Sequence, residues 1–183
     1  RYTSLSLPYH VGIGWFGGNC NRCVPCRRGY FMQCERMQVP SWQYPGGYAE
    51  SVTAPVTALA RIPEGLSFVE AAPMGCAGVT TFNGLRQTRA KAGDVVAILG
   101  IGGLGHLGVQ WSRAMGFETV AIGRGTGKAE EATQLGAHHY IDSTAQDVAA
   151  EGAEVKRRAQ AQAERCGEPQ PARPVRPRLR RSS

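Results

Sequence analysis

The chain has 183 residues, 42% of them hydrophobic and 19% charged, which suits one or two globular domains and excludes a fibrous or wholly unstructured chain. No run approaches the roughly 18 uninterrupted apolar residues of a membrane span, and Arg1-Tyr2-Thr3 opens no signal-type apolar block, so a cytoplasmic protein is expected. The formal charge of +7 is unevenly spread: residues 151–183 carry nine Lys/Arg against four Glu, leaving only +2 for the rest. Basicity therefore belongs to the tail and argues only weakly for nucleic-acid binding by the body.

The first sixty residues are rich in Gly, aromatic and β-branched types, with turn signals such as Pro45-Gly46-Gly47, and read as short strands and loops. Within them Cys20, Cys23, Cys26 and Cys34 are spaced x2, x2 and x7, with Gly17, Gly18 and Gly29 nearby. A chain without secretion signals uses such crowding for metal ligation before disulfides. Four thiolates fill the tetrahedral shell of one Zn²⁺ and leave no open position, so the expected site is structural. The alternatives are reduced cysteines that bind nothing and an iron–sulfur cluster, whose spacing has a third gap of x3 followed by Pro.

Ser67 followed by Glu70 is a capping box, predicting a helix that runs toward Met74. Asp94 to Leu99, apolar from Val95 onward, is a run of the buried parallel-strand kind, ending in Gly100-x-Gly102-x-x-Gly105. Leu104, Leu107, Gly108, Trp111 and Met115 then recur at helical spacing. Thr119–Ile122 reads as a second strand, Ala129–Leu135 as a second helix and His138–Asp142 as a third strand, a β-α-β-α-β order. From about residue 149 Ala, Glu, Gln, Arg and Pro dominate, and a disordered basic tail is expected through residue 183.

The glycine turn, placed between strand and helix, has the context of a dinucleotide site. Gly100 permits the tight turn, Gly102 lets backbone approach a pyrophosphate and Gly105 lets helix pack on strand, with Gly103 and Leu104 completing the turn. A glycine-rich turn that binds no nucleotide is the competing reading. At the end of the second strand, where an acidic residue would bond the ribose hydroxyls of NAD, stand Gly123 and Arg124. Glycine leaves room and the Arg124 fork suits a 2′-phosphate, so NADP is expected over NAD, the alternative being a solvated loop arginine. Lys128 joins the cofactor-binding candidates.

Gly12-Ile13-Gly14-Trp15, the Cys20–Cys34 lobe, Gly46-Gly47-Tyr48-Ala49-Glu50, residues 72–80 and residues 100–106, in this order, resemble the landmarks of the zinc-dependent alcohol dehydrogenases of the medium-chain dehydrogenase/reductase family. The resemblance runs from about Val11 to Val148. It implies an α/β chain in which residues 1–66 form part of a GroES-like catalytic domain with its zinc lobe, and residues 67–148 a truncated Rossmann domain. It implies further that Cys76 ligates a second, catalytic zinc and that Thr80 lies one helical turn later beside the nicotinamide. Outside that frame, a single cysteine in an apolar helix is more often a small buried hydrophobe. The other catalytic ligands would come from segments preceding Arg1. A fragment of an alcohol or aldehyde oxidoreductase with negligible activity alone is thus expected, with oligomerisation doubtful. A zinc-independent quinone reductase, a zinc-binding nucleic-acid module and a non-catalytic remnant are the alternatives.

Overall fold

The computed structural model describes residues 10–167. These fall into two compact units, one of residues 10–89 with 102–111, the other of residues 90–101 with 112–167.

In the first unit a two-stranded antiparallel ribbon pairs β1 (Val11–Ile13) with β2 (Leu59–Arg61), Gly12 standing opposite Ala60. Between them lies the cysteine lobe, which includes the short helix α1 (Val24–Arg27). The capping box forms: Ser67 Oγ accepts from the Glu70 N–H, and the Glu70 carboxylate accepts from the Ser67 N–H at 3.0 Å. It opens α2 (Phe68–Ala71), which passes into a 3₁₀ turn, Ala72–Gly75, because Pro73 has no N–H to continue an α-helical ladder. A longer helix, α3 (Ala77–Gln87), follows.

In the second unit β3 (Val95–Leu99), β4 (Glu118–Gly123) and β5 (His139–Asp142) form a parallel sheet in that order, with Val96 opposite Thr119 and Ile122 opposite Ile141. Parallel neighbours need crossovers, and helices α4 (Gly105–Ala114) and α5 (Ala129–Gln134) occupy them in sequence. Val120, Ile122 and Ile141 point to one face, where Val155 closes the core with Val95 and Val148 against it. Thr119, one residue out of phase, faces the other side and meets Ser112 through their hydroxyl oxygens, 2.9 Å apart.

Three expectations need correction. Composition predicts disorder from residue 149, but α6 spans Val148–Gly167; residues 168–183 lie outside the described residues. Asp147 caps this helix, its carboxylate accepting from the N–H groups of Ala149 at 2.9 Å and Ala150 at 3.2 Å, and Val148 and Val155 give it an apolar stripe. The strand expected to be buried, β3, lies at the margin of the sheet, with no strand on its outer side among the described residues, and Leu99 is 80% exposed. Leu104, expected on a buried helical face, is exposed because it sits in the turn before α4 begins.

Candidate zinc lobe and dinucleotide turn

The Sγ atoms of Cys20, Cys23, Cys26 and Cys34 all lie within 4.8 Å of one another, with Cys23 and Cys34 at 3.9 Å. Tetrahedral zinc with Zn–S bonds of 2.3 Å requires sulfurs ~3.8 Å apart, so the quartet has the right size for one such ion. All four are free thiols, and Cys26 and Cys34 are buried. Donors surround the sulfurs: the backbone N–H groups of Cys20 and Arg36 each donate to Cys34 Sγ at 3.3 Å, and the Asn19 side-chain Nδ2 donates to Cys26 Sγ at 3.4 Å. Backbone N–H donation from Arg22 and then Cys23 lowers the Cys20 thiol to about 6.

The loop reaches this shape through two left-handed positions, Asn21 at φ 57° and Gly29 at φ 82°. Its neck is closed by Gly17 N–H donating to Gln38 O and Gln38 N–H to Gly18 O. The Tyr44 hydroxyl donates to Gly17 O at 2.8 Å, and a Cβ on Gly17 would strike that hydroxyl. Burial pushes the Tyr44 phenol up. Tyr44 carries no motif in sequence; only its loop's return toward Gly17 reveals it.

Cys76 is exposed at the start of α3, and its carbonyl accepts from the Thr80 N–H at 3.0 Å, so the two residues lie one turn apart. Thr80 is exposed as well. Gly14 fixes the approach to this point: β1 runs so close to the 3₁₀ turn that a Cβ there would collide with Gly75 O. No cluster of three or more metal-ligating groups includes Cys76 among the described residues. One thiol falls short of the three protein donors of a catalytic zinc, so no chemical step can be drawn through such an ion here. The remaining histidines are engaged elsewhere: His10 packs on Phe68 at 4.5 Å, His138 Nδ1 accepts from the Thr119 N–H, and His139 pairs with Glu118 at 2.9 Å.

The glycine turn is tight and its backbone is uncovered. Gly100 is left-handed at φ 83°, and its N–H donates to Ile122 O, extending the ladder by one bond. Nothing lies within 4 Å of where a Cβ would stand on Gly100, Gly102 or Gly103, so the turn's backbone is open to a ligand. Gly105, buried, starts α4, and His106 caps the turn, its N–H donating to Gly102 O at 3.0 Å and its Nδ1 lying 3.1 Å from the same oxygen. At the end of β4, Gly123 is half-buried while Arg124 and Lys128 are exposed; Lys128 pairs with Glu131 at 3.4 Å, and Arg124 has no ion-pair partner among the described residues.

The chain thus combines a parallel βαβαβα unit, opened by a glycine turn, with a four-thiol lobe. Residues 103–170 match the zinc-binding dehydrogenase family. The chain is 46% identical over 147 residues to an alcohol dehydrogenase of Geobacillus stearothermophilus, covering 80% of this chain and 44% of that protein. It is 45% identical over 145 residues to the alcohol dehydrogenase patD of Aspergillus clavatus, covering 79% and 37%. Among solved structures, a CAD from Helicobacter pylori complexed with NADP(H) matches with TM-score 0.67 and 25% identity over 75% of this chain and 42% of that one. An NAD-dependent alcohol dehydrogenase matches with TM-score 0.69 and 29% identity over 77% and 41%. The chain belongs to the zinc-containing medium-chain alcohol dehydrogenase family, and it spans less than half the length of these relatives.

Proposed function

We propose that the protein is a zinc-containing alcohol or aldehyde oxidoreductase that works with NADP(H) in preference to NAD(H), and that this chain contributes its structural zinc lobe and half of its nucleotide fold. The observation that carries the proposal is the union, in one chain, of four converging sulfurs and an open glycine turn at a helix N-terminus.

Cys20, Cys23, Cys26 and Cys34 hold the structural ion. Four donors leave it no vacant position, so its work is to fix a loop that carries almost no hydrophobic core of its own. The backbone at Gly102 and Gly103 admits the pyrophosphate, and the positive dipole end of α4 favours its charge. Arg124 and Lys128 are placed as cations for the ribose phosphate, and the missing acidic residue at 123 removes the repulsion that a 2′-phosphate would meet. Cys76 offers one thiolate to the catalytic zinc of the whole protein, with Thr80 one turn beyond it. When bound, nicotinamide supplies hydride transfer and the catalytic zinc supplies Lewis acidity at the alcohol oxygen.

The test is fluorescence titration of the purified chain with NADPH and NADH, beside its zinc content. The proposal predicts about one zinc per chain and tighter binding of NADPH. Equal or tighter binding of NADH would remove the cofactor assignment, and a chain that stays metal-free in zinc would remove the lobe assignment.

A further inference from the structure

The segment Gly123-Arg124-Gly125 is gripped from one side by the end of β5. Gly123 O accepts from both the Ser143 N–H and the Ser143 hydroxyl at 2.9 Å. The Gly125 N–H donates to Asp142 Oδ1 at 2.8 Å, and Gly125 O accepts from the Tyr140 hydroxyl at 2.7 Å. Arg124 thus stands between two glycines whose backbone groups are pinned, while its own side chain stays exposed. Tyr140 and Asp142, two apart on a strand, share one face of the sheet.

Each member of this grip is itself held. Asp142 is buried; the same Oδ1 accepts from the Thr144 N–H at 2.9 Å and the Thr144 hydroxyl at 2.7 Å, and the Asp142 N–H donates to Gln146 Oε1 at 2.9 Å. These donors, Thr144 first, hold the carboxyl below its ordinary range, so it is ionised and accepting at neutral pH. Tyr140 also dictates what can stand at 123. A Cβ built on Gly123 would collide with the Tyr140 hydroxyl and lie 2.9 Å from its Cζ. The ring therefore occupies the room that an acidic side chain at 123 would need.

We infer that Tyr140 and Asp142 are positioning residues for the adenosine-ribose end of the dinucleotide. They fix the backbone that presents Arg124, and Tyr140 excludes a carboxylate from position 123. This rests on the reading of Arg124 as a 2′-phosphate ligand. Left-handed Gly125, at φ 70°, lets the chain turn back under the two anchors.

The experiment compares Tyr140→Phe, Asp142→Ala and Gly123→Asp, the last alone and combined with Tyr140→Ala, with the unsubstituted chain. Two quantities are read: NADPH and NADH affinity by fluorescence titration, and protection of the Gly125 amide by hydrogen exchange. Tyr140→Phe and Asp142→Ala are expected to weaken NADPH about ten-fold, the scale of one hydrogen bond, while NADH changes about two-fold or less, with Gly125 protection lost in Asp142→Ala. Gly123→Asp combined with Tyr140→Ala is expected to reverse the preference toward NADH, and Gly123→Asp alone to lower the melting temperature. Lost protection with both affinities unchanged overturns the inference, as does unchanged protection. If the unsubstituted chain shows no preference for NADPH, the Arg124 reading fails by itself. The positioning role then stands on equal weakening of both dinucleotides, and falls if neither weakens. No saturable binding of either dinucleotide removes both.

Discussion

Asp142 shows how one side chain links stability to pH. Its folded carboxyl lies below the ordinary range because Thr144 and the Gly125 amide donate to its ionised form. A depressed carboxyl contributes stability above its unfolded value, about 3.9, and loses that contribution as pH falls through the folded value. Acid titration from pH 5 downward should therefore release the Gly125 amide before the sheet melts, and Asp142→Asn should flatten that dependence. A Gly125 exchange rate with the same pH dependence in both proteins would contradict this. At the same scale the cysteine spacing was fully legible, because a metal's donor geometry is written in short loops. Tyr44, Tyr140 and Asp142 were not: their partners Gly17, Gly123 and Gly125 are reached only once strand register and loop return are known.

Elements bounded by local signals were read correctly. The Ser67 and Glu70 pair forms the reciprocal cap that its spacing specifies, and β3, β4, α5 and β5 fall within a residue or two of the apolar runs that announce them. Ser67→Ala should cost about 1 kcal/mol, measured by urea denaturation, with no change in zinc content. The missed element, α6, had its signals in view. Asp147 is a good N-cap, alanines carry high helix propensity, and Glu154 sits three and four residues before Arg157 and Arg158. Its low hydrophobicity made the segment resemble a tail, since a helix with a narrow apolar stripe needs the sheet beneath it to be recognised. Val155, buried against Val120, Ile122 and Ile141, supplies that stripe, and Val155→Ala should destabilise the second unit by about 2 kcal/mol. A change of only a few tenths in chemical denaturation would mean that α6 is not part of the core.

At the scale of the whole molecule, β-α-β-α-β order predicts a parallel sheet and the sheet is parallel, but strand position within a sheet is a non-local property. The run Val95 to Leu99 reads as an interior strand, yet among the described residues it stands at the margin with Leu99 exposed. An apolar margin strand offers its unpaired backbone to other chains. Leu99→Lys should lower concentration-dependent light scattering by the purified chain without moving its melting temperature, whereas unchanged scattering would show that this edge is not where chains meet. No helix among the described residues is long and apolar enough to cross a membrane.

The family assignment ties the glycine turn to the thiol lobe, and the lobe's chemistry can be observed directly by X-ray absorption at the zinc edge on the purified chain. Four sulfur neighbours at about 2.3 Å and one zinc per chain are predicted, with sulfur coordination incomplete when Cys23 or Cys34 is replaced by serine. A shell containing nitrogen or oxygen, or a chain that melts identically with and without metal, would contradict the structural zinc site.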